Sequence, residues 1–247
     1  MKILATYNIK GGVGKTSTAV NLSYLAAQDG LRVLLWDLDP QAAASFLFRI
    51  RPRVKGGGKA LIKGSREIDD SIKGTDFADL DLLPADFTYR NLDLVLGATK
   101  KPTRRIARLL APLSDQYDVI FLDCPPGISL LSESVLQAAD TLIVPLIPTV
   151  LSLRTLDQLT DFLASFDGQR PGVLAFFSMI DRRKRLHREI AESLPAERDD
   201  VAAAVIPSLT QIERMSVERA PVAAFAPHSR AAECYQALWA EVRARTL

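Results

Sequence analysis

The sequence predicts an α/β protein, a mostly parallel, twisted sheet covered by helices on both faces. Three observations carry this. Short apolar segments alternate with amphipathic ones along the chain. A glycine-rich loop ending in lysine and threonine separates the first strand-like segment from the first helix-like one. Acidic residues recur at the ends of apolar segments. Continuous apolar runs, rather than alternating ones, mark strands buried on both faces, as parallel strands are. In such sheets ligands sit beyond the carboxyl ends of the strands.

Residues Ile3 to Tyr7 form the first expected strand, and Thr16 to Gln28 the first helix, with Gly30 as its stop signal. Val33–Trp36, Leu80–Pro84, Val119–Leu122, Leu142–Val144, Val173–Phe177 and Ala203–Ile206 are the following strands. Helical patterns cover Phe87–Leu96, Thr103–Leu113, Leu131–Ala139, Leu153–Phe166, Leu186–Ser193 and Ser229–Arg245. Arg49 to Lys63 carries six cations, three consecutive glycines and no acid, so a flexible basic excursion from the sheet is expected there.

At 247 residues with no evident linker, one domain over 1–247 is expected, long enough to bury a core without disulfides or metal staples. The net charge of +2 gives no global polyelectrolyte signal, so nucleic-acid binding would have to come from local patches. Cys124 and Cys234 are far apart and match no metal spacing, which points to a reducing cytoplasm. Lys2 is followed by a short strand and glycines, not by a signal-peptide core. The longest apolar stretch, Thr141 to Leu153, is broken by Pro145 and Pro148 and is too short for a membrane span.

The chemistry concentrates in Lys10-Gly11-Gly12-Val13-Gly14-Lys15-Thr16-Ser17. Glycines let backbone N–H groups face phosphate oxygens without an intervening Cβ, and the following helix adds its positive end. A lysine at position 15 can reach β- and γ-phosphates, and the Thr16 hydroxyl can ligate Mg²⁺. The loop departs from the ordinary P-loop pattern, because Ile9 stands where the first glycine belongs and Lys10 is added. Asp123 ends an apolar strand, and Asp37 and Asp39 sit two apart, where an extended chain points them the same way. Each of these aspartates also suits a plain turn or helix cap.

These residues resemble the ParA/MinD family of deviant P-loop ATPases, and are most similar to its small ParA/Soj-like members. The loop at 10–16, Asp37-Leu38-Asp39-Pro40-Gln41, Asp123-Cys124-Pro125-Pro126 and Val205-Ile206-Pro207 with Pro221-Val222 occur in family order. The resemblance implies ATP and Mg²⁺ as cofactors. It implies Asp123 and Asp37 in the magnesium shell with Thr16, and Asp39 positioning the attacking water. It implies that Lys10 crosses a dimer interface to the partner's phosphates, and that adenine contacts come from near Met179 and Pro207. Met179 equally suits core filling.

Family members of the ParA type bind DNA without sequence preference as ATP-bound dimers, while MinD types bind membrane through a C-terminal amphipathic helix. Here the apolar residues of the last helix look used up in packing, so no membrane partner is expected. Basic material stands at Arg182–Arg185 with His187 and Arg188, at Lys100, Lys101, Arg104, Arg105 and Arg108, and at Arg214, Arg219 and Arg230. Ser208 and Gln211 replace the arginines many ParA proteins carry after the Ile-Pro pair. The resemblance therefore implies a slow cytoplasmic, nucleoid-associated ATPase that partitions or positions a plasmid, chromosome or protein cargo. It would do so with a ParB-like or cargo-adaptor partner and without an operator-binding domain of its own. A MinD-like positioning ATPase, a metabolic ATP-dependent enzyme, an iron–sulfur carrier and an ATP-clamped adaptor are the competing expectations. The iron–sulfur carrier would need a second cysteine near Cys124.

Overall fold

The computed structural model describes residues 1–65, 67–166 and 170–247. The elements run β1 (Lys2–Thr6), α1 (Lys15–Gln28), β2 (Val33–Asp37), α2 (Ala43–Leu47), α3 (Gly57–Lys63), β3 (Lys73–Gly74), β4 (Leu80–Leu83), α4 (Leu92–Gly97), α5 (Arg105–Leu110) and β5 (Val119–Asp123). They continue α6 (Leu130–Ala138), β6 (Thr141–Leu146), α7 (Val150–Ala164), β7 (Gly172–Ile180), α8 (Arg185–Glu197), β8 (Val201–Pro207), α9 (Thr210–Glu218), α10 (Val222–Phe225) and α11 (Arg230–Thr246).

Eight strands form one sheet in the order β3-β4-β2-β5-β1-β6-β7-β8. All neighbours are parallel except β3 and β4, which pair antiparallel. The apolar strand runs explain this: every residue of β2 and of β5 is buried, so both faces need a helical cover. One face packs Trp36, Leu122 and Phe177 against Leu61 and Ile62 of α3, Leu92 and Leu96 of α4, and Ile106 of α5, with α6 and α7 beyond. The other packs Phe121 and Phe176 against α1, α9 and α11 through Leu22, Met215 and Trp239. Removing a large buried side chain from either layer would cost about 2–5 kcal/mol.

The register places the site. Thr6 of β1 lies beside Asp123 of β5, and Asp37 of β2 lies on the other side of Asp123, so three strand ends meet at one level. From β1 the chain crosses outward past β5 to β2, and from β5 it crosses back past β1 to β6, so the order reverses at β1 and β5, whose carboxyl ends form the crevice where such sheets bind ligands.

Several expectations are corrected. The basic excursion at 49–63 is not a free loop throughout. From Gly57 it becomes α3, seated by buried Leu61 and Ile62, and Gly58 is close enough to Tyr89 and Leu92 that a Cβ would clash. The expected helices at 87–96 and 103–113 are each divided. Single 3₁₀ turns stand at Phe87–Asn91, Pro102–Arg104 and Ala111–Leu113, the last two where Pro102 and Pro112 begin a turn well but cannot continue a helix. The helix expected from Leu186 to Ser193 runs on to Glu197. α2, the short β3, α9 and α10 add to the expected elements.

Candidate nucleotide site

The loop after β1 is held in place by its own flanks. The Tyr7 hydroxyl donates to the Gly127 carbonyl oxygen at 3.0 Å, and the Gly127 N–H donates to the Ile9 carbonyl oxygen at 2.9 Å. The Asn8 side chain donates to the Pro145 carbonyl oxygen and accepts from the Lys10 N–H, at 2.8 and 2.9 Å. Gly14 caps α1 with φ +95°, a left-handed conformation, and a Cβ there would stand 2.9 Å from Ser178 Oγ. Glycine is therefore required at 14 on two counts. α1 has no side-chain N-cap, so the amides of its first turn are left pointing outward with the positive end of the helix dipole. That is the geometry of an anion cradle.

Lys15 reaches back under this loop and its Nζ donates to the Lys10 carbonyl oxygen at 2.9 Å. The side chain is 7% exposed. Burial pushes its pKa down, while Asp123, Cys124 and Asp39 pull it back up. Asp123 is fully buried. The Thr6 hydroxyl lies 3.4 Å from its Oδ1, whereas Oδ2 is without a hydrogen-bond partner. Burial and the neighbouring Asp37 push the Asp123 carboxyl well above the usual carboxylate range, against the opposing pull of the Thr16 hydroxyl and Lys15. An orphaned carboxylate oxygen beside a threonine hydroxyl, at the base of a phosphate-sized cradle, is a hard-oxygen donor set that fits a magnesium ion. Among the described residues no group of three or more His, Cys, Asp or Glu side chains could hold a metal ion by itself. A magnesium here would therefore complete its shell with phosphate and water oxygens.

Asp37 and Asp39 part company in the structure. Asp37 is buried, and its Oδ2 accepts from both the N–H and the hydroxyl of Ser45, each at 2.8 Å, while Oδ1 accepts from the Asp39 N–H at 3.3 Å. Burial raises its pKa to about 6 despite these bonds. Its oxygens are thus taken up in orienting α2. The expectation that the two aspartates point the same way is corrected: Asp39 lies on the wall of the cavity and Asp37 does not. Asp39 Oδ1 accepts from the Gln41 N–H at 2.9 Å.

A cavity of about 430 Å³ opens over the loop. Gly11, Gly12, Gly14, Lys15, Thr16, Ser17 and Asp39 line one end, and Met179 and Pro207 line the other. Met179 adopts φ +54° and is 43% exposed, which removes the core-filling alternative. Val13 is buried and does not line the cavity. Lys10 is half-buried at the rim and its side chain forms no ion pair among the described residues. Sequence reasoning assigned no place in the site to Pro126, Ser178, Ser208, Ile212, Glu213 and Tyr235, which with Ile206 and Leu209 complete the wall. Their only signal is spatial: Pro126 follows β5, Ser178 and Ser208 stand at the ends of β7 and β8, and Ile212, Glu213 and Tyr235 come from α9 and α11, while α10 between those helices is tied to α1 by Asn21, whose Oδ1 accepts from the Val222 N–H at 2.8 Å.

The basic residues flagged in the sequence divide sharply. Arg183 pairs with Asp181, Arg185 with Glu189 and Arg214 with Glu218, and Arg219 stacks on Phe46. His187 is only 5% exposed, so it does not add to a surface charge as expected. Its Nδ1 accepts from the Asp181 N–H at 3.2 Å, and burial, with Lys184 nearby, pushes its pKa down. α11 buries Tyr235, Leu238, Trp239 and Val242 against the sheet, as the sequence suggested. Among the described residues no helix is long and apolar enough to cross a membrane.

Comparison with known proteins follows the same outline. The AAA domain family matches residues 1–172. The sporulation initiation inhibitor protein Soj of Bacillus subtilis is 34% identical over 251 residues, covering 98% of each chain. The chromosome partitioning protein ParA of Caulobacter vibrioides is 31% identical, over 99% of this chain and 95% of that one. The cell division ATPase MinD of Pyrococcus furiosus superposes with a TM-score of 0.81 at 25% identity, over 99% of both chains.

Proposed function

Because the chain belongs to the ParA/MinD family of P-loop ATPases, we propose that it hydrolyses ATP slowly as an ATP-sandwich dimer, binds DNA without sequence preference, and partitions or positions a cargo. The observation that carries this reading is the meeting of Lys15, Thr16 and the unpartnered Asp123 oxygen beneath the Gly11–Gly14 loop.

ATP and Mg²⁺ are the cofactors. When bound, the metal neutralises charge on the β- and γ-phosphates. The chain's own residues do the remainder. The loop amides and the start of α1 hold the phosphates, and Lys15 exchanges its bond to the Lys10 carbonyl for a phosphate oxygen. Thr16 and Asp123 would supply the oxygens that hold the metal. Asp37, already bonded to Ser45, supports that shell from behind. Asp39, held by the Gln41 amide, orients the attacking water. Lys10 reaches across the dimer to the partner's phosphates, a charge supplied in trans that is worth about 10³–10⁵ in rate in the most favourable known cases. Met179 and Pro207 flank the base. In this reading ATP binding favours the dimer and hydrolysis, stimulated by a ParB-like or cargo-adaptor partner, resets it.

The test is chromatography with light scattering, in ATP and Mg²⁺, beside a duplex-DNA mobility assay at low salt. A dimer that forms with ATP, dissociates with ADP and shifts duplex DNA is expected. A monomer that hydrolyses ATP and leaves DNA unshifted would instead match a metabolic enzyme.

A further inference from the structure

Two basic runs far apart in sequence become one surface. Residues 49–63 and 100–108 together carry eleven cations and no acid, in a chain of net charge +2. The structure joins them because α3 packs beside α5: the Arg105 guanidinium donates to the Ile62 carbonyl oxygen and lies over Gly64. Lys55, Lys59 and Lys63 then project from one segment, and Lys101, Arg104 and Arg108 from the next, all exposed. Lys59 and Lys63 are one helical step of four residues apart on α3, while Arg104 ends the turn before α5 and Arg108 lies on it.

None of these six forms an ion pair among the described residues. The nearby acids are already engaged. Asp86 accepts from the Val54 N–H and from Thr88, and Asp93 accepts from the Leu131 N–H. The contrast with the basic residues of α8 and α9, several of which are paired, is the point. Unpaired cations held close together repel one another, and a polyanion laid across them relieves that repulsion more strongly than dilute salt does.

We propose that the outer face of α3 and α5 is this protein's docking surface for the phosphate backbone of double-stranded DNA. The proposal rests on the DNA-binding reading above and adds where the DNA lies: on the opposite face of the sheet from α9 and α11. Lysine ammonium groups on flexible stems are point charges without directional preference, which suits a backbone read for charge and not for sequence. Two cations four residues apart on a helix are separated by about 6 Å along its axis, close to the roughly 7 Å axial advance of two nucleotides on one strand.

The experiment compares wild type, a triple variant Lys59→Gln/Lys63→Gln/Arg108→Gln, and a control triple variant Arg183→Gln/Arg185→Gln/Arg214→Gln at the paired arginines. Fluorescence anisotropy with a labelled duplex, in ATP and Mg²⁺, is read from about 50 to about 200 mM salt. The α3–α5 variant is expected to bind roughly tenfold or more weakly, with the slope of log affinity against log salt reduced by about three, while the control changes less. Equal unfolding temperatures would show that each variant is folded. If wild type binds and the α3–α5 variant keeps its affinity and slope, this surface assignment falls and the DNA-binding reading stands. If wild type binds no duplex, both fall. If wild type captures a poly-glutamate peptide through this face and leaves DNA free, the surface belongs to an acidic protein and the proposal is overturned.

Discussion

The ammonium of Lys15 donates to the backbone carbonyl oxygen of Lys10 at 2.9 Å, so the two lysines that distinguish this loop are tied end to end. One is buried beneath the glycines, and the other stands at the rim. The pairing separates their tasks. In the proposed mechanism Lys15 serves its own site and the side chain of Lys10 acts outward on the partner's.

Lys15→Ala removes a charge-assisted hydrogen bond to phosphate, worth about 1.5–3 kcal/mol. ATP affinity by calorimetry is expected to fall about ten- to a hundredfold, with turnover lost. Unchanged affinity would mean that the phosphates lie elsewhere.

Asp39→Ala leaves the glycine loop and Lys15 intact, because the Asp39 side chain bonds only the Gln41 N–H. ATP binding is expected to stay within a few fold of wild type while turnover falls by about 10²–10⁴. Light scattering should show a dimer that persists on ATP. A variant that still turns over at the wild-type rate would remove Asp39 from the mechanism.

Ser45→Ala tests the support behind the site. The Ser45 hydroxyl donates to Asp37 and accepts from the Ala85 N–H, both buried. Losing it leaves a buried carboxylate and an amide each short of a partner, at about 1–3 kcal/mol. The unfolding temperature should drop by several degrees, and the Asp37 pKa should rise above its value of about 6.

His187 makes stability depend on acid. Its folded-state pKa lies below the ordinary value, so below about pH 6.5 the unfolded chain takes up the proton first. The stabilisation is present above that pH and lost as pH falls, because protonated Nδ1 can no longer accept from Asp181. In His187→Asn the amide oxygen can replace that acceptor without titrating. The stability advantage of wild type over this variant should shrink between about pH 7.5 and about pH 5.5. A constant difference in unfolding temperature would contradict the assignment.

The strands, the glycine loop and the strand-end aspartates were legible because each is local. Burial on both faces leaves a continuous apolar run, and phosphate chemistry leaves glycines beside a lysine. What was not legible depends on distant packing. Nothing near Gly57 announces a helix, since three glycines argue against one, until Tyr89 and Leu92 close over it. Ile212, Glu213 and Tyr235 enter the cavity wall only because α9 and α11 fold back over α1, and Ser178 and Ser208 only because β7 and β8 end beside the loop. Both basic runs were legible in the sequence, but not that they form one surface, because that depends on α3 packing beside α5 through Arg105.

The central claim is that each subunit completes the other's site through Lys10, and mixing two inactive variants tests it. In a mixed dimer of Lys10→Ala and Asp39→Ala, the Lys10→Ala subunit keeps its own Lys15 and Asp39 and receives Lys10 from its partner. Equimolar mixing should restore about a quarter of the wild-type turnover, since half of the dimers are mixed and each has one complete site of two. A mixture as inactive as either variant alone would show that Lys10 acts within its own subunit, and would contradict the shared site.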